Sequence, residues 1–465
     1  MGKLKTWNQN RKLRGRGDAD MTQGSIWQQL LQFAIPMMIG QIFQQFYNTV
    51  DTIVVGQFVG KEALAAVGST GSIINMLVGV ANGLATGATV VISQSYGAHD
   101  NKKLHDAVHT TMLLTFIMCA ICTGLGILIV SPMLRFMDTP ADVFDSAKEY
   151  LTIYFVGITG LLIYNMGSGI LRAVGDSTRP VYFLIASALT NIVLDLLFVL
   201  AFHMGVAGVA WATVIAQLVS AVLVLYSLSH TGAPYGIHWG SLTIKKDTLL
   251  RVLSIGLPTS IQQALTSFSN VFVQSYINYF GSACMAGWSS YNKLDSFVLI
   301  PMQSIALACT TFVGQNYGAG KIDRMKKGVH QALGVSLIIS ALLGVVAMVF
   351  ARPLMRLFTA EADVLEYGVQ FVHLITPFYL LCVVNQIYAG ALRGVGNANG
   401  PTIIMLLSFV AFRQCYLFAN KMWLGNTLNG MALGYPMGWV MCSLLMTICY
   451  YSSKVFRRKK SELQA

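Results

Sequence analysis

Ile170–Pro180 reads ILRAVGDSTRP, and 221 residues further on Ala391–Pro401 reads ALRGVGNANGP. Leu171, Arg172, Val174, Gly175 and Pro180 thus recur as Leu392, Arg393, Val395, Gly396 and Pro401. The same offset carries Gln94-Ser95-Tyr96-Gly97-Ala98 into Gln315-Asn316-Tyr317-Gly318-Ala319, and Pro132, Arg135, Asp142 and Val143 into Pro353, Arg356, Asp363 and Val364. Three matches at one spacing indicate two homologous halves. In a membrane chain, paired halves imply a site between or within them that opens to either side.

Composition makes this a membrane chain. Only 11% of the residues are charged and 55% are hydrophobic, with a mean hydropathy of +0.60. A soluble globular protein carries about 25% charged residues. The net charge of +12 does not point to nucleic acid, because the basic residues cluster at the two ends and in alternate loops. The eight cysteines lie mostly in apolar segments without a secreted-disulfide spacing, and Cys119-x-x-Cys122 sits mid-helix, so they read as small packing residues. The first 25 residues are polar and basic, and the first apolar helix lacks an early A-x-A end, so it is expected to stay as a span.

A span needs roughly 20 apolar residues. Twelve are predicted, at 28–58, 64–92, 106–131, 146–171, 181–202, 207–229, 252–280, 285–313, 328–350, 366–391, 401–423 and 429–453. Several exceed one membrane crossing, so tilted or protruding ends are expected. With both termini on one side, that side holds 23 of the 31 Lys and Arg, which makes the termini cytoplasmic. Six spans per half is an even number, so the halves enter the membrane the same way and form two side-by-side lobes. The expected organisation is a basic tail (1–27), an N-lobe (28–229), a linker (230–251), a C-lobe (252–453) and a second basic tail (454–465).

Intramembrane charges are costly and therefore informative. Nearly all of the nineteen acids fall in tails, loops or helix ends, and three do not: Asp51, Asp195 and Asp295. Asp51 ends a polar stripe with Gln44, Tyr47 and Asn48 on one helical face of span 1. Asp195 on span 5 has Asn191 one turn earlier, and Thr213 and Gln217 form a polar i, i+4 pair on span 6. Asp51, Asp195 and Thr213 fall at one depth, roughly 10 Å below the outer surface. Two carboxyls at one depth in a low-dielectric setting can share, load and release a proton or a small cation. The alternative is that each Asp only bonds a neighbouring helix as packing glue.

Asp295 lies near the middle of span 8, with Tyr291 and Asn292 on its own face; Lys293 at i−2 cannot share that face. Tyr291 and Asp295 are candidates for substrate or ion contact, against a buried structural pair. Arg413 on span 11 is a candidate counter-charge. His373 on span 10 reads as a hydrogen-bonded core residue, and His99, His105 and His109 lack a metal site's ligand set. Part of the Met and aromatic complement can line a pliable cavity for flat ligands. Pro36, Pro258, Pro301 and Pro377 permit bends. No P-loop, nucleophile elbow, HExxH or dinucleotide fingerprint occurs, which argues against an ATP-driven pump and against a membrane hydrolase. No enzyme activity is expected.

Twelve spans in two parallel halves, IPMMIGQIFQQFYNTVDTIVVGQFVG opening the first, SQSYGA and GQNYGA after spans 2 and 8, and LRAVGD and LRGVGN after spans 4 and 10 resemble the multidrug and toxic compound extrusion (MATE) family. The resemblance covers essentially the whole chain. It implies an all-α fold of two pseudo-twofold related six-helix lobes. It also implies a secondary antiporter of the cell membrane, exporting amphipathic, often cationic compounds in exchange for H+ or Na+ by alternating access. No cofactor beyond the coupling ion and no nucleic-acid partner is implied, and a monomer in the lipid bilayer is expected.

The prokaryotic DinF-like branch carries an N-lobe acidic site that maps onto Asp51, Asn191, Asp195 and Thr213, and polar drug-site positions that look like Gln44 and Asn165. Two departures stand out. Relatives often place Pro after the span-5 Asp, whereas this chain has Leu196. The NorM branch carries C-lobe acids on spans 7 and 10, where this chain has PTSIQQALTSF and HLITPFYLL; a C-lobe sodium site of that type is not expected. The rival readings are a lipid-linked saccharide flippase of the same superfamily and a membrane-embedded enzyme. The scaffold repeats but the acids do not: the counterparts of Asp51, Asp195 and Asp295 are Phe272, Tyr416 and Ile74.

Overall fold

The computed structural model describes residues 19–59, 61–136, 139–423 and 425–457. Twelve long helical stretches follow one another among them. They are α1 (Ile26–Val54), α2 (Lys61–Gly97), α3 (Asn101–Phe136), α4 (Ala141–Ala173), α5 (Thr178–Leu196), α6 (Gly205–Ser229), α7 (Lys246–Asn278), α8 (Ser282–Gly318) and α9 (Ile322–Val349), then α10 (Ala362–Gly394), α11 (Asn399–Trp423) and α12 (Leu428–Ser452). Ten described helices are long and apolar enough to cross a membrane; the polar α1 and α7 are not among the ten. Large apolar side chains such as Leu128, Val222, Ile338, Leu342 and Leu444 are exposed, as a lipid-facing surface requires.

The repeated LR-x-VG motif is a helix stop joined to a helix start. Gly175 and Gly396 take φ of +89° and +94°, a region that disfavours any residue with a Cβ. The chain closes α4 and α10 with matching bonds: the Asp176 amide donates to the Leu171 carbonyl at 3.0 Å, and Asn397 to Leu392 at 2.9 Å. This is the six-residue closure of a helix C-terminus. The next side chain then serves the following helix, since Asp176 Oδ1 accepts from the Thr178 amide at 2.9 Å and Asn397 Oδ1 from the Gly400 amide at 3.2 Å.

The SQSYGA and GQNYGA motifs do not follow their helices as the sequence suggested; α2 and α8 run through Gly97 and Gly318. Charged and amide side chains are tolerated there because they bond to neighbouring segments. Gln315 Oε1 accepts from the Met21 amide at 2.9 Å, Asn316 Nδ2 donates to the Met21 carbonyl at 3.1 Å, and Arg324 Nη1 donates to the Gly24 carbonyl at 2.8 Å. In the other half, Gln94 Oε1 accepts from Arg251 Nη2 at 2.7 Å.

Among the described residues two compact units result, one of 19–20 with 39–260 and one of 21–38 with 261–457. The first part of α1 thus belongs to the second unit, and the first part of α7 to the first. In the first unit α4 packs against α2, α3 and α6. A Cβ on Gly160 of α4 would come within 2.8 Å of the Gln217 backbone of α6, so the absence of a side chain sets how closely these helices approach. In the second unit the core gathers around α8, with Phe312, Phe371 and Tyr379 buried together with Leu30, Phe33 and Met37 of α1.

Among the described residues, π-helical turns occur at Val55–Val59, Leu197–Ala201 and Leu407–Phe412. Pro377 lies in a 3₁₀ turn, Thr376–Phe378, within α10. Pro36, Pro258 and Pro301 sit inside continuous helices.

Candidate functional site

In the first unit, α5 and α6 bring three of the expected polar residues inside. Asp195, Asn191 and Thr213 are all buried. Asn191 Nδ2 donates across the helix pair to Thr213 Oγ1 at 3.4 Å, a long bond that leaves both groups able to rearrange. Gln217, one turn beyond Thr213, is half-buried, and its Oε1 has no bond among the described residues. Asp195 itself lies just before the π turn Leu197–Ala201. The residue after Asp195 is Leu196 rather than a Pro, and the helix changes winding directly after it.

Asp51 lies on α1 four residues before the π turn Val55–Val59; its side chain falls outside the described set. Val54 and Val55 pack with Val199, Val209 and Tyr150 in one apolar cluster, so the two π turns meet. Gln44 and Asn48 are exposed on α1 and Tyr47 is half-buried. Asn165 on α4 is buried and donates to its own helix's Leu161 carbonyl at 2.8 Å. No described bond joins it to Gln44.

A second polar centre forms in the other unit. Asp295 Oδ1 accepts from Tyr291 Oη at 3.2 Å and also from Tyr379 Oη, while the two phenol oxygens are 3.2 Å apart. Three short edges thus connect one carboxylate oxygen and two hydroxyls. Two hydroxyl protons can occupy only two of those edges, so a third proton on Asp295 would complete the ring. Aromatic rings wall this centre: Trp288 lies 5.4 Å from Tyr435 and 5.0 Å from Phe371, and Trp439 lies 5.9 Å from Tyr379, centroid to centroid.

Sequence reasoning found Asp295 and Tyr291 but missed Tyr379, Tyr435 and Trp439. Pro377 was the available signal, because the 3₁₀ turn it occupies immediately precedes Tyr379.

Two expectations need correction. Arg413 does not pair with Asp295: its guanidinium stacks 4.8 Å over the Tyr435 ring and donates to Ser269 Oγ at 2.9 Å and Asn270 Oδ1 at 2.8 Å. His373 is exposed, with Nδ1 donating to the Val369 carbonyl of its own helix at 3.0 Å, so it is not a core histidine. His99 occupies a left-handed turn after α2, with φ of +54°.

The chain matches the MatE family over residues 36–197 and 258–413. Over 443 residues it is 28% identical to "Probable multidrug resistance protein YoeA" of Bacillus subtilis, covering 94% of this chain and 95% of that protein. YpnP of the same organism, whose name carries the same wording, is 29% identical over 93% of this chain and 96% of its own length. Among solved structures, an "Outward-facing conformation of a multidrug resistance MATE family transporter of the MOP superfamily" superposes with a TM-score of 0.88 at 23% identity, over 93% of this chain and 96% of that one. The all-α, many-span fold in two helical units is therefore the MATE fold. This chain belongs to the MatE family, a family of membrane transporters rather than enzymes.

Proposed function

We propose that this protein is a secondary-active exporter of amphipathic, often cationic compounds, driven by H+ entering through the α1–α5–α6 acidic site, in the manner of the DinF-like branch. The observation that supports this most is Asp195. It is a buried carboxyl on a membrane helix, one turn from an Asn–Thr pair that reaches the next helix. A buried acid in a bilayer is expensive unless it has work to do. Asp51 would share the ion with Asp195, and Asn191 and Thr213 would stabilise one protonation state. Gln44, Tyr47, Asn48, Asn165 and Gln217 would present amide and hydroxyl groups to substrate. Loading the acids lowers affinity for bound drug on the outer side; unloading them on the inner side readies the carrier for the next molecule.

The charge distribution supports cytoplasmic termini in the cell membrane. Names of the relatives, multidrug resistance proteins, support a small-molecule substrate. A flippase for a pyrophosphate-linked saccharide would want free cationic groups around its ligand. Arg413 is not such a group, being held by Tyr435, Ser269 and Asn270.

Asp295, Tyr291 and Tyr379 favour a second role in the same cycle. One acid ringed by aromatic faces suits a flat organic cation, which gains from the carboxylate and from the rings together. The test is ethidium-type dye uptake into proteoliposomes, driven in turn by a pH gradient and a Na+ gradient. A pH-driven signal supports proton coupling; a signal only with Na+ moves the ion assignment to sodium; no signal with either removes the reading.

A further inference from the structure

His105 and His109 stand one turn apart on one face of α3, the i, i+4 histidine spacing by which a helix offers two imidazoles to one metal ion. Their rings stack with centroids 3.8 Å apart. The chain supplies a third imidazole from 129 residues away: His238, in the extended stretch between α6 and α7, lies 6.0 Å from His109 and 5.9 Å from His105, ring to ring. One ligand nitrogen from each of the three lies within 4.8 Å of the other two. No other group of three or more such ligands occurs among the described residues.

The hydrogen bonds fix which atom of His109 can act. Its Nδ1 sits 2.8 Å from the His105 carbonyl, and since a carbonyl only accepts, Nδ1 carries the proton. The lone pair is then on Nε2, where it accepts from the His238 amide at 3.0 Å. A ring that donates Nδ1–H to a backbone carbonyl and aims an unprotonated Nε2 outward is oriented as metal-ligating histidines are. In this state a backbone N–H occupies the lone pair. His105 is half-buried and His238 exposed, so both rings can turn. Asp106 Oδ1 lies 4.0 Å from His105 Nδ1, leaving the other ring nitrogen of His105 as the ligand.

We infer that His105, His109 and His238 form a binding site for a divalent transition metal of the Zn2+ class, for which imidazole is a suited ligand, tying the α6–α7 linker to α3. Metal and the His238 amide compete for one lone pair on His109, so binding exchanges a neutral hydrogen bond for a coordinate bond. Thr110 already anchors the same linker, since its Oγ1 donates to the Thr243 carbonyl at 3.3 Å and accepts from the Lys245 amide at 3.1 Å. The linker thus stays in place while the stretch that carries His238 rearranges.

The test uses the full-length chain without a polyhistidine tag, in detergent, titrated with Zn2+ in competition with a chromophoric chelator. One Zn2+ per chain is expected for the native protein. His238→Ala removes an exposed ring and keeps its backbone amide, so the fold is retained. It should weaken that equivalent by more than the roughly 10–100-fold that loss of an outer-shell partner costs, and His105→Ala should do the same. Absence of binding to the native chain, or an unchanged affinity in His238→Ala, overturns the site. The outcome is independent of transport activity.

Discussion

At the scale of single residues, the repeated and the unrepeated positions do different work. Gly175 is repeated because backbone geometry demands it: at φ +89° a Cβ would also meet the Ala19 carbonyl oxygen at 2.2 Å. Gly175→Ala is expected to cost at least about 1–2 kcal/mol, read as a lowered thermal midpoint in detergent with the transport mechanism otherwise intact. Asp295 is unrepeated because it belongs to one half's chemistry. Tyr379→Phe keeps the ring and removes one donor to its carboxylate. Loss of a hydrogen bond to a charged group should change dye affinity by about tenfold or more, seen as a shift in KM. An unchanged KM would make the Tyr–Asp ring purely structural. Asp51, Asn191, Asp195 and Thr213 were nameable from sequence because polar residues stand out in apolar helices. Tyr379 was not, because an aromatic residue among many looks like packing until its hydroxyl has a partner 84 positions away.

At the scale of elements, the long helices were legible and their irregular turns were not. Apolar runs interrupted by Gly, Pro and charge define twelve helical stretches whatever the tertiary contacts. A π turn needs one extra residue accommodated by neighbours, and no local pattern encodes that. The π turns also break the internal symmetry. Leu197–Ala201 has its repeat counterpart in the ordinary helix Arg413–Trp423, and Leu407–Phe412 has its counterpart within Thr178–Leu196. Those at Val55–Val59 and Leu197–Ala201 follow Asp51 and Asp195 and share one apolar cluster. Deleting Leu200, an exposed residue, would return α5 to regular winding. The deletion variant is expected to insert normally and to lose dye efflux; full efflux in the deletion would show that the π turn is incidental to coupling.

At the scale of the molecule, the duplicated halves exchange the first parts of their first helices: Met21–Met38 belongs with the second unit and the start of α7 with the first. The motifs that revealed the duplication take part in the exchange, with Gln315 holding the Met21 amide and Gln94 holding Arg251. The sequence reading put lobe boundaries at the linker, because hydropathy reports where a segment crosses the membrane and not what it packs against. Arg324 bonds Met21, Gln23 and Gly24 carbonyls and Gln29. Arg324→Ala should therefore raise amide hydrogen exchange across 21–24 while leaving α4 and α6 protected. Equal exchange in native and variant protein would place the hold on this segment elsewhere.

On the proposed mechanism, a buried carboxyl on α5 couples ion entry to drug exit. The most direct test of this coupling is ethidium transport in proteoliposomes under an imposed pH gradient, comparing the native chain with Asp195→Asn at equal reconstituted amounts. Asn matches the shape of the protonated acid and cannot release a proton, so gradient-driven transport should be lost while the protein stays folded and inserted. Transport by Asp195→Asn at the native rate would contradict it.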